Sequence, residues 1–189
     1  MESVQIDIEK SIRSNKLKMI HVGFDQMLGQ VFYLLFSVFV ISLGIIFPVF
    51  LKLKAINEGG EKFRMPWIIW LPVFLISLLT LYALANYNRL ERFHGSDRNA
   101  NRRLIVEILE KRFNVQLPAP EGQIFRFYKR ASLWKWGTRV IIIFDNDDLL
   151  INISRFNDRG LKSPFHPFFD NFTVKSIFKT LAAEISNTA

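Results

Sequence analysis

The sequence predicts a membrane α-helical hairpin of two transmembrane helices, followed by a small α+β cytosolic domain made of a helix, a three-stranded antiparallel sheet and a second helix. Three observations support this. No charged residue occurs from Gln26 to Leu51, nor from Met65 to Asn88. Beyond these runs the composition becomes basic, with 17 Lys and Arg against 11 Asp and Glu in residues 87–189. The predicted units are a cytosolic N-terminal segment 1–30, a hairpin 31–87 and a ligand-binding domain 94–189.

The two apolar runs have the length of membrane spans. Val31 to Leu51 is 21 residues, and as a helix it would be about 32 Å long, enough for a hydrocarbon core of about 30 Å. Pro66 to Tyr87 is of similar length. Neither run contains an ionisable residue, which argues against a transporter with charged groups at the bilayer centre. The first run begins too far from the N-terminus and is too long for a cleavable signal peptide, so we expect it to remain as an anchor.

The charges that flank the runs predict their orientation. Only 14 residues, Lys52 to Met65, connect the runs, so both termini must lie on one side of the membrane. Nine Lys and Arg occupy the outer flanks and four the connection. The positive-inside rule therefore places both termini in the cytosol.

The N-terminal segment leaves two interpretations open. Val4, Ile8 and Ile12 recur every four residues with charges between them. Such a helix could lie on the membrane surface or pack on a partner. It could equally be a solvated leader that only orients the first span.

The elements of the cytosolic domain follow from periodicity. Ser96 or Asp97 can cap a helix that runs to about Phe113 and has one apolar face. Three strands are predicted, with a tight turn between the last two, and a loop over 157–172 precedes a final helix. The strands are Gln123–Arg130, Thr138–Phe144 and Leu149–Phe156; the turn is Asp145–Asp148; the apolar face of the final helix is Val174, Ile177, Phe178, Leu181 and Ile185.

No catalytic or metal-binding pattern is visible. The chain has no cysteine, no phosphate-binding glycine loop and no nucleophile motif, and its three histidines are far apart. The clustered acids at Asp145–Asp148 are better explained as a turn than as a cation site. We therefore expect no enzyme activity, no metal and no cofactor.

Basic and aromatic residues form the candidate ligand site. Guanidinium groups bind phosphates through paired hydrogen bonds, and aromatic rings stack on nucleobases. Contact with lipid headgroups and a plain solvated surface remain alternatives. The candidate residues are Arg126, Tyr128, Arg130, Trp134, Lys135 and Arg139, with Arg102 and Arg155 from two further basic groups.

In outline, the hairpin Val31–Leu51 and Pro66–Tyr87 with the basic α+β tail Asp97–Ala189 resembles the small two-span membrane effectors of type III CRISPR antiviral systems. The resemblance implies a homotetramer in the cell inner membrane that binds cyclic tetra-adenylate in the cytosol and perturbs the membrane. Membrane lipid and this nucleotide are then the expected partners, and DNA is not. The alternative is a structural or regulatory two-span subunit whose basic domain binds a protein partner or anionic lipid.

Overall fold

The computed structural model describes residues 5–20, 24–57, 67–86, 88–132, 135–157, 162–163 and 166–188. Two apolar helices pack together, and a four-stranded sheet follows with helices on one face. The helices are α1 Ile8–Ser14, α2 Phe24–Ile41, α3 Phe47–Asn57, α4 Trp67–Ala85, α5 Arg98–Phe113 and α6 His166–Thr188; the strands are β1 Glu91–His94, β2 Ile124–Lys129, β3 Gly137–Asp145 and β4 Asp148–Phe156.

Among the residues that the structure describes, one helix is long and apolar enough to span a membrane. Helix α2 continues through a π-helical turn, Ser42–Ile46, into α3. The stretch Met27–Asn57 has 31 residues, and only 11% of its most apolar window is buried. It extends beyond the predicted span at both ends and includes Lys52 and Lys54. The second apolar helix, α4, is shorter, and the predicted ends of its span, Pro66 and Tyr87, lie outside the described residues.

The two apolar helices approach most closely at Gly44. A Cβ atom added there would lie 2.0 Å from Ser77 Oγ. The Ser77 hydroxyl is 2.8 Å from the Val40 carbonyl oxygen across the contact and 2.8 Å from the Val73 carbonyl oxygen in its own helix. Pro48 has no N–H to donate to the Gly44 carbonyl oxygen. The π-helical turn Ser42–Ile46, which is wider than an α-helical turn, ends two residues before Pro48. Small residues at such a contact are typical of helices that pack in lipid.

Among the described residues the sheet has four antiparallel strands in the order β1-β4-β3-β2. The three predicted strands are confirmed as β2, β3 and β4, and the predicted number of strands was wrong because β1 was missed. The missed strand, β1, has four residues and only one of them, Phe93, is apolar. Periodicity cannot reveal such a strand, because an edge strand needs few apolar side chains. It pairs with β4 and is tied there by Arg92 and His94, which bind Asp148 at 2.9 and 2.7 Å.

Helices α5 and α6 cover one face of the sheet and form the main core with it. The Asp97 carboxylate accepts hydrogen bonds from Asn99 and Ala100, which confirms it as the cap of α5. Helix α6 begins within the stretch predicted as a loop, because Pro167 suits the first turn of a helix. The predicted apolar faces point into this core, which includes Ile105, Leu109, Val140, Ile142, Phe144, Leu149, Ile151, Val174, Ile177 and Leu181.

The N-terminal segment covers the other face of the sheet. Ile6 and Leu17 are buried in a second core with Ile141, Ile143 and Leu150. The described residues 5–20 therefore belong to the same folded unit as the sheet, which differs from both a membrane-surface helix and a solvated leader. The predicted boundary at residue 30 does not separate them from it.

Replacement of Leu17 by Ala should destabilise the sheet domain by about 2–4 kcal/mol, because Leu17 is 3% exposed and its removal leaves a cavity. Chemical unfolding of the full chain in detergent micelles, followed by tryptophan fluorescence, measures this. Lys18→Ala, at an exposed neighbouring position, should change the unfolding midpoint little. Equal midpoints for the two variants would show that the segment does not stabilise the sheet.

Candidate functional site

Three of the predicted site residues lie together on the sheet face opposite α5 and α6. The Tyr128 ring stacks on Phe156, with centroids 5.5 Å apart. The Arg139 guanidinium carbon lies 5.3 Å from the centroid of the same Phe156 ring. Arg126 points to the same face, two residues along β2, and is exposed. We call Arg126, Tyr128, Arg139 and Phe156 the basic face.

The remaining predicted residues lie elsewhere. Arg130 and Lys135 are exposed in the connection between β2 and β3, and Trp134 lies outside the described residues. Arg102 lies over the Phe144 ring, on the opposite face and roughly 17 Å along the sheet from Arg139, given the rise of a strand. Arg102 therefore does not join the basic face.

A group of buried and half-buried polar side chains lies beside the basic face, where β4 and α6 meet the end of α4. The Arg155 Nε donates to Asp170 Oδ1 at 3.0 Å, and the Asn152 amide donates to the Arg89 carbonyl oxygen at 2.7 Å. Lys162 binds the Asn88 side-chain oxygen. We call this group, which comprises Asn88, Asn152, Ser154, Arg155, Lys162, Asp170 and Asn171, the polar junction.

The polar junction is tied directly to the apolar helix α4. The Asn171 amide donates to the Tyr82 hydroxyl at 2.8 Å, and Tyr82 also packs edge-on against Phe168 of α6. Lys162 follows β4, and its partner Asn88 lies just beyond the end of α4. Displacement of β4 or α6 therefore displaces the end of α4.

Burial disfavours the charged forms of two residues in the polar junction. It raises the pKa of Asp170 from 3.8 to about 6, although Arg155 and Lys162 partly offset the effect. It also lowers the pKa of Lys162 well below its ordinary value, and the positive charge of Arg139 lowers the pKa further. Arg139 thus acts electrostatically on the polar junction from the basic face.

Two small adjoining cavities lie in the polar junction. Their volumes are about 40 and 30 Å³, and Asn86, Asn152 and Asp170 line both. Within the described part of the chain, Asn152 Oδ1 and Ser154 Oγ line these cavities and are buried without a hydrogen-bond partner. Each cavity has room for water, which would satisfy these atoms, whereas a nucleotide needs a pocket of about 300 Å³ or more.

Sequence reasoning found only part of this arrangement. Arg155 was predicted, and the alternation of Asn152 and Ser154 within an apolar strand was a visible signal of a polar site. Lys162 and Asp170 had no such signal, because they fall in the stretch predicted as a loop.

No known protein family matches the chain, nor does any curated protein or solved structure. The function is therefore argued from the geometry of the basic face, the polar junction and the apolar helices. The resemblance to two-span effectors stays a prediction.

Asp170→Asn should remove a pH dependence of stability. The folded state holds the Asp170 proton more tightly than the unfolded state, because burial raises its pKa to about 6. We therefore compare the free energy of unfolding of the wild type with that of Asp170→Asn. The value for the wild type minus the value for the variant should fall as pH rises from about 4 to about 6, and should level off above about 7. Thermal unfolding of both proteins in detergent across this range measures the difference. A difference that is constant with pH would show that Asp170 titrates normally.

Proposed function

We propose that this chain is a membrane-bound sensor of an anionic nucleotide, with two spans in the cell inner membrane and both termini in the cytosol. The basic face binds a cyclic oligoadenylate, for which cyclic tetra-adenylate is the candidate, in an assembly of four chains. Ligand binding changes the packing of the hairpins and perturbs the membrane. The proposed role is that of an antiviral effector, as the resemblance implies.

The apolar surface of the helices supports the membrane placement. Large side chains all along α2, α3 and α4 are exposed, including Leu35 at 64%, Phe39 at 60% and Ile68 at 67%. Monomeric proteins in water rarely leave so large a contiguous apolar surface uncovered. In a bilayer the same side chains would contact lipid. Helix α4 lies antiparallel beside the membrane-length helix, which favours a second span.

The basic face has the chemistry that an anionic nucleotide requires. Five Lys and Arg, and no acidic residue, occur between Gly122 and Phe144. Arg126 and Arg139 can pair with phosphate oxygens, and the exposed Tyr128 offers a ring on which a base can stack. Arg126 and Tyr128 are exposed on the edge strand β2, so a large cyclic ligand could lie against them and be shared between copies.

The observation that carries the proposal is the proximity of the basic face to the polar junction. The Arg139 guanidinium lies over the Phe156 ring, and Phe156 pairs with Lys162 in an isolated β-bridge. Lys162 in turn binds Asn88, just beyond the end of α4. A phosphate bound by Arg139 would therefore alter the charge balance at a contact between the sheet and the hairpin. Such a ligand shifts the hairpin only by binding one arrangement more tightly, and a 100-fold preference supplies about 2.7 kcal/mol.

Arg139→Gln and Arg126→Ala should each weaken the binding of cyclic tetra-adenylate to the full chain in lipid nanodiscs by about 1–3 kcal/mol, because each removes a charge-assisted hydrogen bond. Calorimetry measures the affinity, which should also fall as salt rises. Arg103→Ala is the matched control, since Arg103 is exposed on α5.

Three results would contradict this assignment. Absence of binding to the wild type at micromolar nucleotide would leave the regulatory-subunit alternative. Equal losses for Arg103→Ala and the two test variants would indicate nonspecific attraction. Unchanged affinity in both test variants would place the ligand away from the basic face.

Alkaline phosphatase fused after Ala189 should be inactive, and the same enzyme inserted after Gly60 should be active, because we place the termini in the cytosol and the connection outside it. Green fluorescent protein at the same two positions gives the complementary readout. The reverse pattern, or equal activity at both positions, would contradict the two-span orientation.

A further inference from the structure

The first turns of α6 expose aromatic side chains outside the basic face and the polar junction. Phe169 and Phe172 are each 58% exposed, although both are large and apolar. They lie three residues apart and so share one side of the helix. The opposite side of α6, which includes Val174 and Ile177, is buried in the core. More than half of each of these two phenylalanine side chains is therefore left uncovered by the described residues.

These aromatic residues lie next to the apolar helices. The Phe168 ring contacts Phe169 and Phe172 with centroid distances of 5.6 and 4.9 Å. The same ring packs edge-on against Tyr82 at 5.6 Å. Tyr82 is in the last turn of α4, so the exposed aromatics continue the apolar surface of that helix where it ends.

Further aromatic and basic residues accompany them. Trp136 is 42% exposed and contacts His166, the first residue of α6, at 5.1 Å. Lys135 precedes Trp136, and Lys175 and Lys179 are exposed in the next turns of α6. Aromatic rings next to cations at the end of an apolar helix are typical of the headgroup region of a bilayer that contains anionic lipid.

We propose that Trp136, Phe169 and Phe172 form an aromatic edge that inserts into the headgroup region of an anionic lipid leaflet. The inference rests on the proposed membrane placement of the hairpin and adds a second, peripheral contact between the domain and lipid. Because α6 carries Phe169 and Phe172 of the aromatic edge as well as Asp170 of the polar junction, the lipid contact fixes how the domain sits above the apolar helices. Lipid composition would then regulate the movement that ligand binding is proposed to cause.

The absence of cysteine allows a clean test with single-cysteine variants. Phe172→Cys, Leu43→Cys in the apolar helix and Ala183→Cys at the exposed far end of α6 are labelled with an environment-sensitive fluorophore. The full chains are reconstituted in vesicles of phosphatidylcholine and phosphatidylglycerol. Quenching by nitroxide-labelled lipid and by aqueous iodide is then measured for each position.

We expect the label at 172 to be quenched by nitroxide lipid several-fold more than the label at 183, and to be protected from iodide. The lipid quenching at 172 should fall when phosphatidylglycerol is omitted, whereas that at 43 should not. Adding Phe169→Ser to labelled Phe172→Cys should also lower the lipid quenching at 172, because the edge loses an inserted ring. Circular dichroism would verify that this substitution at an exposed position leaves the fold intact.

The outcomes separate this inference from the proposed function. Lipid quenching at 43 with none at 172 overturns the aromatic edge and leaves the membrane placement standing. No lipid quenching at either position overturns both. The label at 172 could instead be protected from both quenchers and lose that protection when the protein is diluted in lipid. That result would show that a second copy of the chain covers the edge, and it would also overturn the inference.

Discussion

The pairing of two chain segments at one end of the apolar helices determines the rest of the architecture. The N–H of Leu17 donates to the Asn88 carbonyl oxygen at 2.8 Å, and the N–H of Leu90 donates to the Asn15 carbonyl oxygen at 2.8 Å. One segment precedes α2 and the other follows α4, so antiparallel helices bring them together. The first segment is thereby directed across the sheet and the second becomes β1. The hairpin and the sheet are thus joined by backbone hydrogen bonds as well as by covalent connections.

The polar junction stands where an apolar contact would be more stable. Burial of a charge costs several kcal/mol unless it is paired, and even a well-paired buried ion pair is often no more stable than an apolar replacement. Asp170 is 3% exposed and Lys162 is half-buried, so both bear part of this cost. A contact made of hydrogen bonds and partial charges has discrete alternative arrangements, whereas a close-packed apolar contact resists change. The polar composition of this contact therefore favours rearrangement between the sheet domain and the apolar helices.

Local patterns in the sequence revealed the elements but not how they meet. The apolar faces of α5 and α6 and the apolar run of β3 were predicted because burial imposes periods of 3.6 and 2 residues on a chain. Strand β1 and the N-terminal segment were missed because distant partners stabilise them. For the same reason the sequence could not separate the basic groups: Arg102 and Arg139 are of one residue type, and only the packing of α5 on one face of the sheet and the direction of Arg139 in β3 place them on opposite faces.

The electrostatic link between Arg139 and Lys162 gives the proposed sensing a defined direction. Burial is the main cause of the lowered pKa of Lys162, and repulsion from the positive charge of Arg139 lowers that pKa further. A phosphate paired with Arg139 would cancel much of that repulsion and raise the pKa of Lys162 toward its ordinary value. A protonated Lys162 would attract the Asp170 carboxylate and would thus compete with Arg155 for it. Asp170 lies on α6 and Lys162 binds Asn88 beyond α4, so we propose that a change in this competition shifts the domain relative to the apolar helices without any ligand entering the cavities.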